Sequence, residues 1–316
     1  MDVVDSLQAL KRDRPVVLTI GAFDGVHLGH QYLMRQVVER ARALDYLSAI
    51  VTFDPRPQVV LRPGSQQLTD AAEKERMVGV LGPDVLVVLP FTHQLASVPA
   101  AQFLQSILDH INLAEVWVGA DFAFGHEREG NVDFLIRAGQ ANGFAVHVVA
   151  RQTIAGASIS STSARALIKD GDVEGAAEIL GHYLRIRGPV VRGAGRGAGL
   201  GFPTANVRPD AAQVLPATGI YAGFLTLNGD AHDAAISVGF NPQFQGQELV
   251  VEAYLLDFEG DLRDRVVALD FVQYIRAERA FESVEALAEA IAQDVLEVRR
   301  ILAKEKAHAA PLAAPL

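Results

Sequence analysis

The sequence predicts an α/β domain with a parallel sheet covered by helices on both faces, followed by a small antiparallel β-barrel domain with a C-terminal helix. Two observations carry this. The first part alternates apolar β-branched runs with helix-period patterns, the signature of strand–helix–strand crossovers. After Arg187 the pattern becomes short strands separated by turn signals.

In order, Val16–Ile20, Ser48–Phe53, Val85–Leu89, Val116–Val118 and Ala145–Val149 read as buried strands. Between them, Leu33, Met34, Val37, Val38 and Ala41 fall on one helical face, and Ala101–Ile111 and Val132–Asn142 carry similar patterns. Two further helices are predicted over Ser161–Lys169 and Val173–Leu180, with the domain junction in the tract Gly181 to Gly188. In the second part Ile220–Leu227 ends at Asn228-Gly229, a two-residue hairpin signal, and Ala235–Val238 follows. Val250–Phe258 and Arg265–Val272 flank the turn Glu259-Gly260-Asp261. A last helix starts near Ser283, its apolar stripe running from Val284 to Leu302. The expected domains are 1–182 and 183–306, with a disordered Ala/Pro-rich tail over 307–316.

Composition narrows the function. A formal net charge of −10 argues against general nucleic-acid binding, so any phosphate site must be a local basic pocket. The chain has no cysteine, which excludes disulfides, thiolate catalysis and cysteine-type zinc sites and fits a cytoplasmic protein. No apolar stretch approaches the ~18 residues of a spanning helix, so no membrane partner is expected. The N-terminus, with Asp2, Asp5, Lys11 and Arg12, shows no secretory signal. Oligomeric state leaves no mark in the sequence.

Three stretches carry chemistry. In the first, Gly21-Ala22-Phe23-Asp24-Gly25-Val26-His27-Leu28-Gly29-His30 joins a buried strand to a helix. Unpaired N–H groups at a helix N-terminus attract phosphate, glycines permit close approach, and His27 and His30 can stabilise charge developing in a displacement. Alone, an HxGH loop would favour the reading as a tight turn with a capping histidine. Its distant companion, Ser160-Ser161-Thr162-Ser163-Ala164-Arg165, favours a nucleotide site, because hydroxyls, N–H groups and Arg165 can hold a polyphosphate.

The second stretch runs from Gly193 through Gly195, Gly197, Gly199 and Gly201 into Phe202-Pro203-Thr204-Ala205-Asn206. A linker would not normally lead straight into barrel strands. Glycine loops expose N–H groups to phosphate, and Thr204 and Asn206, two residues apart, present hard oxygens on one side of an extended segment, suited to Mg²⁺. The third is Glu252, an acid inside the apolar run Leu249–Phe258. It is either working, or pointing out of the barrel, or paired with Arg276 or Arg279. The remaining histidines show no ligand spacing, and His27 with His30 lacks a third zinc ligand.

The pairing of HxGH with ISSTxxR resembles the nucleotidyltransferase superfamily, with its Rossmann-like domain. The fuller string GAFDGVHLGH, together with Thr52-Phe53-Asp54-Pro55, Leu68-Thr69 with Lys74, Leu89-Pro90-Phe91 and Val118–Gly125, resembles the FMN adenylyltransferase module of bacterial bifunctional FAD synthetases. LGFPTAN, the Glu252 segment and Tyr274–Phe281 resemble the riboflavin kinase module of the same family. The resemblance implies ATP as co-substrate, Mg²⁺, and riboflavin, FMN and FAD as the other small molecules. It implies that His27 and His30 stabilise the α-phosphate, that Ser161, Thr162 and Arg165 hold the β- and γ-phosphates, and that Gly21, Phe23, Asp24 and Gly29 line the nucleotide loop. Asp121 would lie near the flavin or adenosine end, or is simply a turn-capping acid. In the kinase module Gly193, Gly197, Gly201, Thr204 and Asn206 would hold Mg-ATP, Glu252 would act as general base, and Arg276 and Glu278 would border the flavin. The chain departs from the family pattern at Arg56, Ser163, Ala198, Phe240 and Arg263. Loss of one activity, or binding without turnover, stands as the alternative.

Overall fold

The computed structural model describes residues 1–10, 14–154, 156–193, 201–240 and 249–308. Gly197, the segment 241–244 and the tail from 309 lie outside them. The chain divides into two compact units, Met1–Ser161 and Thr162–Leu316.

The first unit is built on six parallel strands: β1 (Asp2–Val4), β2 (Val16–Ile20), β3 (Leu47–Asp54), β4 (Val85–Pro90), β5 (Leu113–Gly119) and β8 (Ala145–Val149). Their order across the sheet is β1-β4-β3-β2-β5-β8. Helices α1 (Leu28–Leu44), α2 (Pro57–Leu61), α3 (Ala71–Val80), α4 (His93–Ala96), α5 (Ala100–His110) and α6 (Val132–Asn142) connect the strands. Every residue of β2 is buried, as expected of a central strand covered on both faces. One apolar cluster joins Leu18, Val51, Val87 and Val116 to Phe103, Leu104 and Ile107 of α5. On the opposite face, Leu33 and Met34 of α1 pack with Ile50, Leu86 and Met77.

This strand order places a crevice. From β2 the chain winds one way through β3 and β4, then crosses back to β5 on the other side of β2. Connections leaving the C-terminal ends of β2 and β5 therefore diverge, and ligands bind at such a switch point. The Gly21–His30 loop leaves β2 there, and the segment containing Asp121 leaves β5. Two short ladders complete the unit: β6 (Ala123–Phe124) with β7 (Gly130–Asn131), and β9 (Thr153–Ile154) with β10 (Ala157–Ser158).

The second unit carries α7 (Ser161–Lys169, whose first residue closes the first unit) and α8 (Val173–Leu180). A closed barrel follows, with strands in the order β11 (Leu184–Val191), β12 (Thr204–Val207), β15 (Leu249–Leu255), β14 (Asp230–Phe240), β13 (Gly219–Leu227) and β16 (Val266–Arg276). Among the described residues, neighbouring barrel strands pair antiparallel. Tyr221, Leu225, Ile236, Val251, Leu269 and Phe271 are fully buried, with Tyr221 and Phe271 meeting edge to face at 5.3 Å. The final helix α9 (Val284–His308) lays Val298, Ile301 and Leu302 against Ala222, Leu256 and Val272.

Two boundaries differ from the sequence expectation. The tract from Gly181 to Gly188 is not a linker: β11 begins at Leu184 and pairs with β16 from that residue on. The division between compact units falls after Ser161, the first residue of α7, and α8 packs on β11 and β16. Helix α9 runs through residues 307 and 308, the first two of the expected disordered tail.

Candidate active sites

The first site begins with a bent loop. Phe23 and Val26 adopt φ of 44° and 35°, values costly for L-residues and most of all for a β-branched one, and Gly25 sits at 76°. Two structural ties hold this shape. Asp24, 3% exposed, accepts the Leu68 N–H at 2.8 Å, and Gly25 N donates to Thr69 Oγ1 at 3.2 Å. Arg56 adds an ion pair to Asp24 at 3.3 Å and donates to the Gln66 carbonyl at 2.6 Å. Gly21 is required because a Cβ there would lie 2.7 Å from the Phe23 ring.

The loop ends on two stacked imidazoles. His27 is the N-cap of α1, and its Nδ1 accepts the His30 backbone N–H at 3.2 Å. In the neutral ring the proton of His27 therefore sits on Nε2. The rings of His27 and His30 lie 3.5 Å apart at 17°. Gly29 permits this, since a Cβ there would press on the His27 ring at 3.3 Å. Phe23 closes on His30 edge to face at 5.2 Å. Burial first, then His27 and Lys74, hold the pKa of His30 well below that of free imidazole. His30 is thus neutral at pH 7, and its buried Nδ1 has no hydrogen-bond partner among the described residues. Ser161, at the start of α7, donates its hydroxyl to the Asp24 carbonyl at 2.8 Å. Thr162 and Arg165 follow on the same helix, with Arg165 one turn beyond Ser161.

Asp121 follows β5 and is mostly exposed, paired with Arg151 at 2.8 Å. Beyond it, Phe122 and Phe124 stack at 5.4 Å, and Glu129 accepts the Ala100 N–H at 2.7 Å. Gly125 has φ 75°, and a Cβ there would lie 2.6 Å from the Ala100 backbone, so the 121–130 segment is seated directly on the start of α5.

The family resemblance includes Lys74 but assigns it no role. It lies on α3 with Glu73, Met77 and Val78, all buried, and its ammonium donates to the Phe53 carbonyl at 3.0 Å. The signal was present: Lys74 stands three and four residues before Met77 and Val78, on the stripe that faces the core.

The second site is written in strand register. Asn206 of β12 and Ser237 of β14 both stand opposite Glu252 of β15. Directly paired residues share a face. Alternation settles which one: Val251 and Ala253 are fully buried in the barrel, so Glu252 and Tyr254 take the outer face with Thr204 and Asn206. Glu252 points away from the barrel interior yet remains half-buried. Thr204 Oγ1 donates to Glu252 Oε2 at 3.3 Å. Gly193 adjoins the same group, because a Cβ there would lie 2.2 Å from Asn206 Nδ2. Gly201, at φ 84°, turns the chain into β12.

Neither arginine considered as a partner for Glu252 takes it. Arg276 makes a two-pronged ion pair with Asp294 of α9 at 2.8 and 2.6 Å, and Arg279 lies over the Phe281 ring at 5.0 Å. Glu278 lies over Gly239, where a Cβ would meet its carboxylate. Burial first, and then the charge of Glu252, raise the Glu278 pKa above the usual range. Thr204, Asn206 and Glu252 offer oxygens only, the donor type Mg²⁺ prefers. Among the described residues no cluster of three or more His, Asp or Glu forms a ready-made cage. That still fits Mg²⁺, which keeps several waters and shares its shell with substrate phosphates.

A glycine loop running into a helix N-terminus at a parallel-sheet switch point, and a carboxylate among hydroxyl and amide groups on a β-barrel, suit a two-domain, nucleotide-dependent transferase. Family models for FAD synthetase and riboflavin kinase match residues 9–163 and 180–302 respectively. The chain is 37% identical over 312 residues to the bifunctional riboflavin kinase/FMN adenylyltransferase of Pseudomonas fluorescens, covering 98% of this chain and 100% of that one. The enzymes of the same name from Listeria monocytogenes and Escherichia coli K12 are each 34% identical, over 91% and 92% of this chain and 93% and 94% of theirs. This chain belongs to the bifunctional riboflavin kinase/FMN adenylyltransferase family. Its fold also matches, at TM-score 0.83 and 29% identity, a solved structure described as a macrolide-efflux protein from Streptococcus pneumoniae, covering 94% of this chain and 98% of that one. Among the described residues of the present chain, no helix is long and apolar enough to cross a membrane.

Proposed function

We propose that the two sites work in series on one flavin, with the residues above in the following roles. The second domain phosphorylates riboflavin to FMN, and the first adenylylates FMN to FAD with release of pyrophosphate, each with ATP. The functional domains run over 1–182 and 183–306, in keeping with the two family matches.

In the kinase step Glu252 takes the proton from the riboflavin 5′-hydroxyl. The freed oxygen attacks the γ-phosphorus of ATP, the bond to the bridging β–γ oxygen breaks, and ADP leaves. The Thr204 hydroxyl orients the carboxylate before substrate arrives. Thr204 and Asn206 are the residues that would hold Mg²⁺, and the glycines from Gly193 to Gly201, Gly197 among them, line the phosphates. When bound, Mg²⁺ supplies charge neutralisation across the ATP phosphates. Glu278 and Arg276 border the flavin, with Arg276 fixed by Asp294.

In the transferase step a phosphate oxygen of FMN attacks the α-phosphorus of ATP and pyrophosphate leaves. His27 donates from Nε2, and His30 supplies the second ring. Gly21, Phe23, Asp24 and Gly29 shape the loop, with the Asp24 carboxylate committed to Leu68 and Arg56. Ser161, Thr162 and Arg165 take the β- and γ-phosphates, and Asp121 lies toward the flavin or adenosine end. The cysteine-free composition is in keeping with work in the cytoplasm.

The observation that supports this reading best is the stacked imidazole pair at the N-terminus of α1, opening at the switch point. Chromatography of a riboflavin, Mg²⁺ and ATP incubation tests it. FMN should appear first and FAD after it. His30→Ala should stop at FMN, whereas Glu252→Gln should make FAD only from supplied FMN. Recovery of neither product from the wild-type protein would refute the assignment.

A further inference from the structure

Adenylylation brings two anions together, and the residues assigned so far serve only one of them. The HxGH loop and the Ser161–Arg165 turn take the triphosphate. The attacking phosphate of FMN also needs a counter-charge, or repulsion keeps it from the α-phosphorus.

Lys74 is 4% exposed, and its ammonium ends at the Phe53 carbonyl, near the C-terminal end of β3. That strand neighbours β2, which leads into the histidine loop. An ammonium carries three N–H donors. Among the described residues Lys74 spends one, on Phe53, and no carboxylate comes within ion-pair distance. Asp24 and Asp54 act on it only at longer range. Asp24 could not turn to it without giving up Leu68 N and Arg56. A buried cation held by a single carbonyl is costly unless something else completes its shell. The neighbouring Arg56 is not equivalent, because its guanidinium already serves Asp24 and the Gln66 carbonyl. The helix that carries Lys74 packs on the histidine loop, with Met77 and Val78 of α3 in one apolar cluster with Phe23 and Val26.

We propose that Lys74 binds the 5′-phosphate of FMN and holds it for attack, making it a catalytic residue of the adenylylation step. The proposal rests on reading the first site as an FMN adenylyltransferase. Its two unspent donors match two oxygens of a phosphate dianion, and its low exposure limits competition from water.

Steady-state FAD formation by the full chain tests this, with FMN varied at saturating ATP and then ATP varied at saturating FMN. Lys74→Met should raise KM for FMN tenfold or more and change KM for ATP less than twofold. Undiminished riboflavin kinase activity and native Trp117 fluorescence in the same preparation would show that the variant is folded. An unchanged KM for FMN, or a rise in KM for ATP instead, overturns the proposal. If the wild-type protein makes no FAD, the reading beneath the proposal fails, which is a different result. Should Lys74→Met not fold, a crystal structure of the wild-type protein with FMN and a non-hydrolysable ATP analogue decides. A phosphate oxygen of FMN within hydrogen-bond distance of Nζ is expected, and a phosphate beyond reach of Nζ overturns the assignment.

Discussion

Acid should loosen the first domain through one ring, His30. Burial, then His27 and Lys74, depress its pKa in the folded state. In the unfolded chain it titrates near ~6.5. At pH 7.5 neither state carries much of this proton. At pH 5.5 the unfolded ring is about nine-tenths protonated while the folded ring, its pKa held lower, carries less of the proton, so unfolding takes up protons and becomes easier. For a folded pKa below this range the loss between pH 7.5 and 5.5 is at most RT ln 10, about 1.4 kcal/mol. The chain's single tryptophan, Trp117, lies in β5 of this domain and stacks on His147 at 4.3 Å, so its fluorescence reports on this domain. Urea unfolding should be followed at both pH values for the wild type and for His30→Gln, in which the other titrating groups are retained. With a urea slope of roughly 1–3 kcal/mol per molar, the wild-type midpoint should fall by about 0.5–1.4 M more than that of the variant. Equal pH dependence in the two proteins would show that His30 is not held neutral by its surroundings.

Two further perturbations address the scaffold. Asp270 of β16 binds Arg185 of β11 through two hydrogen bonds of 2.7 and 2.6 Å, largely out of water. Asp270→Ala should destabilise the barrel by about 3 kcal/mol, measured by urea unfolding with far-UV circular dichroism, because a mostly buried guanidinium loses its carboxylate. Replacing both partners by apolar residues of similar size should recover most of that loss, and a loss under about 0.5 kcal/mol for the single variant would show the pair to be solvent-screened. Gly125→Ala combines a positive φ with a Cβ 2.6 Å from the Ala100 backbone, so FAD formation should fall while FMN formation is unaffected. An unchanged FAD rate would mean that the 121–130 segment is not held on α5 for catalysis.

Much of the fold was legible because its signals are local. Val16–Ile20, Ala145–Val149, Val132–Asn142, Ser161–Lys169 and Val173–Leu180 form the elements expected over those residues, where the apolar period and the flanking turn chemistry agree. Short elements escaped: β1 spans three residues and α4 four, too few for a period to develop. The tract from Gly181 to Gly188 holds the end of α8 and the start of β11, although its glycines look like loop residues. Gly181 is the C-cap of α8, at φ 74°. Gly188 sits inside β11, where a Cβ would strike the Arg208 carbonyl. Glycine marks backbone crowding as readily as it marks a turn.

From the sequence alone came the two candidate phosphate loops, the change from parallel to antiparallel architecture and the candidate reacting side chains, since each depends on residues within about one turn or one strand of each other. The tertiary structure decided relations between distant segments. Alternation tells that Glu252 and its neighbours face opposite ways, but only barrel closure determines that Glu252 stands outside. That Arg276 goes to Asp294 and Asp24 to Leu68 depends on register and docking across 18 and 44 residues. Lys74 stands on the apolar stripe of α3, but only the docking of α3 takes its ammonium out of water, because burial belongs to the packed assembly and not to any single segment.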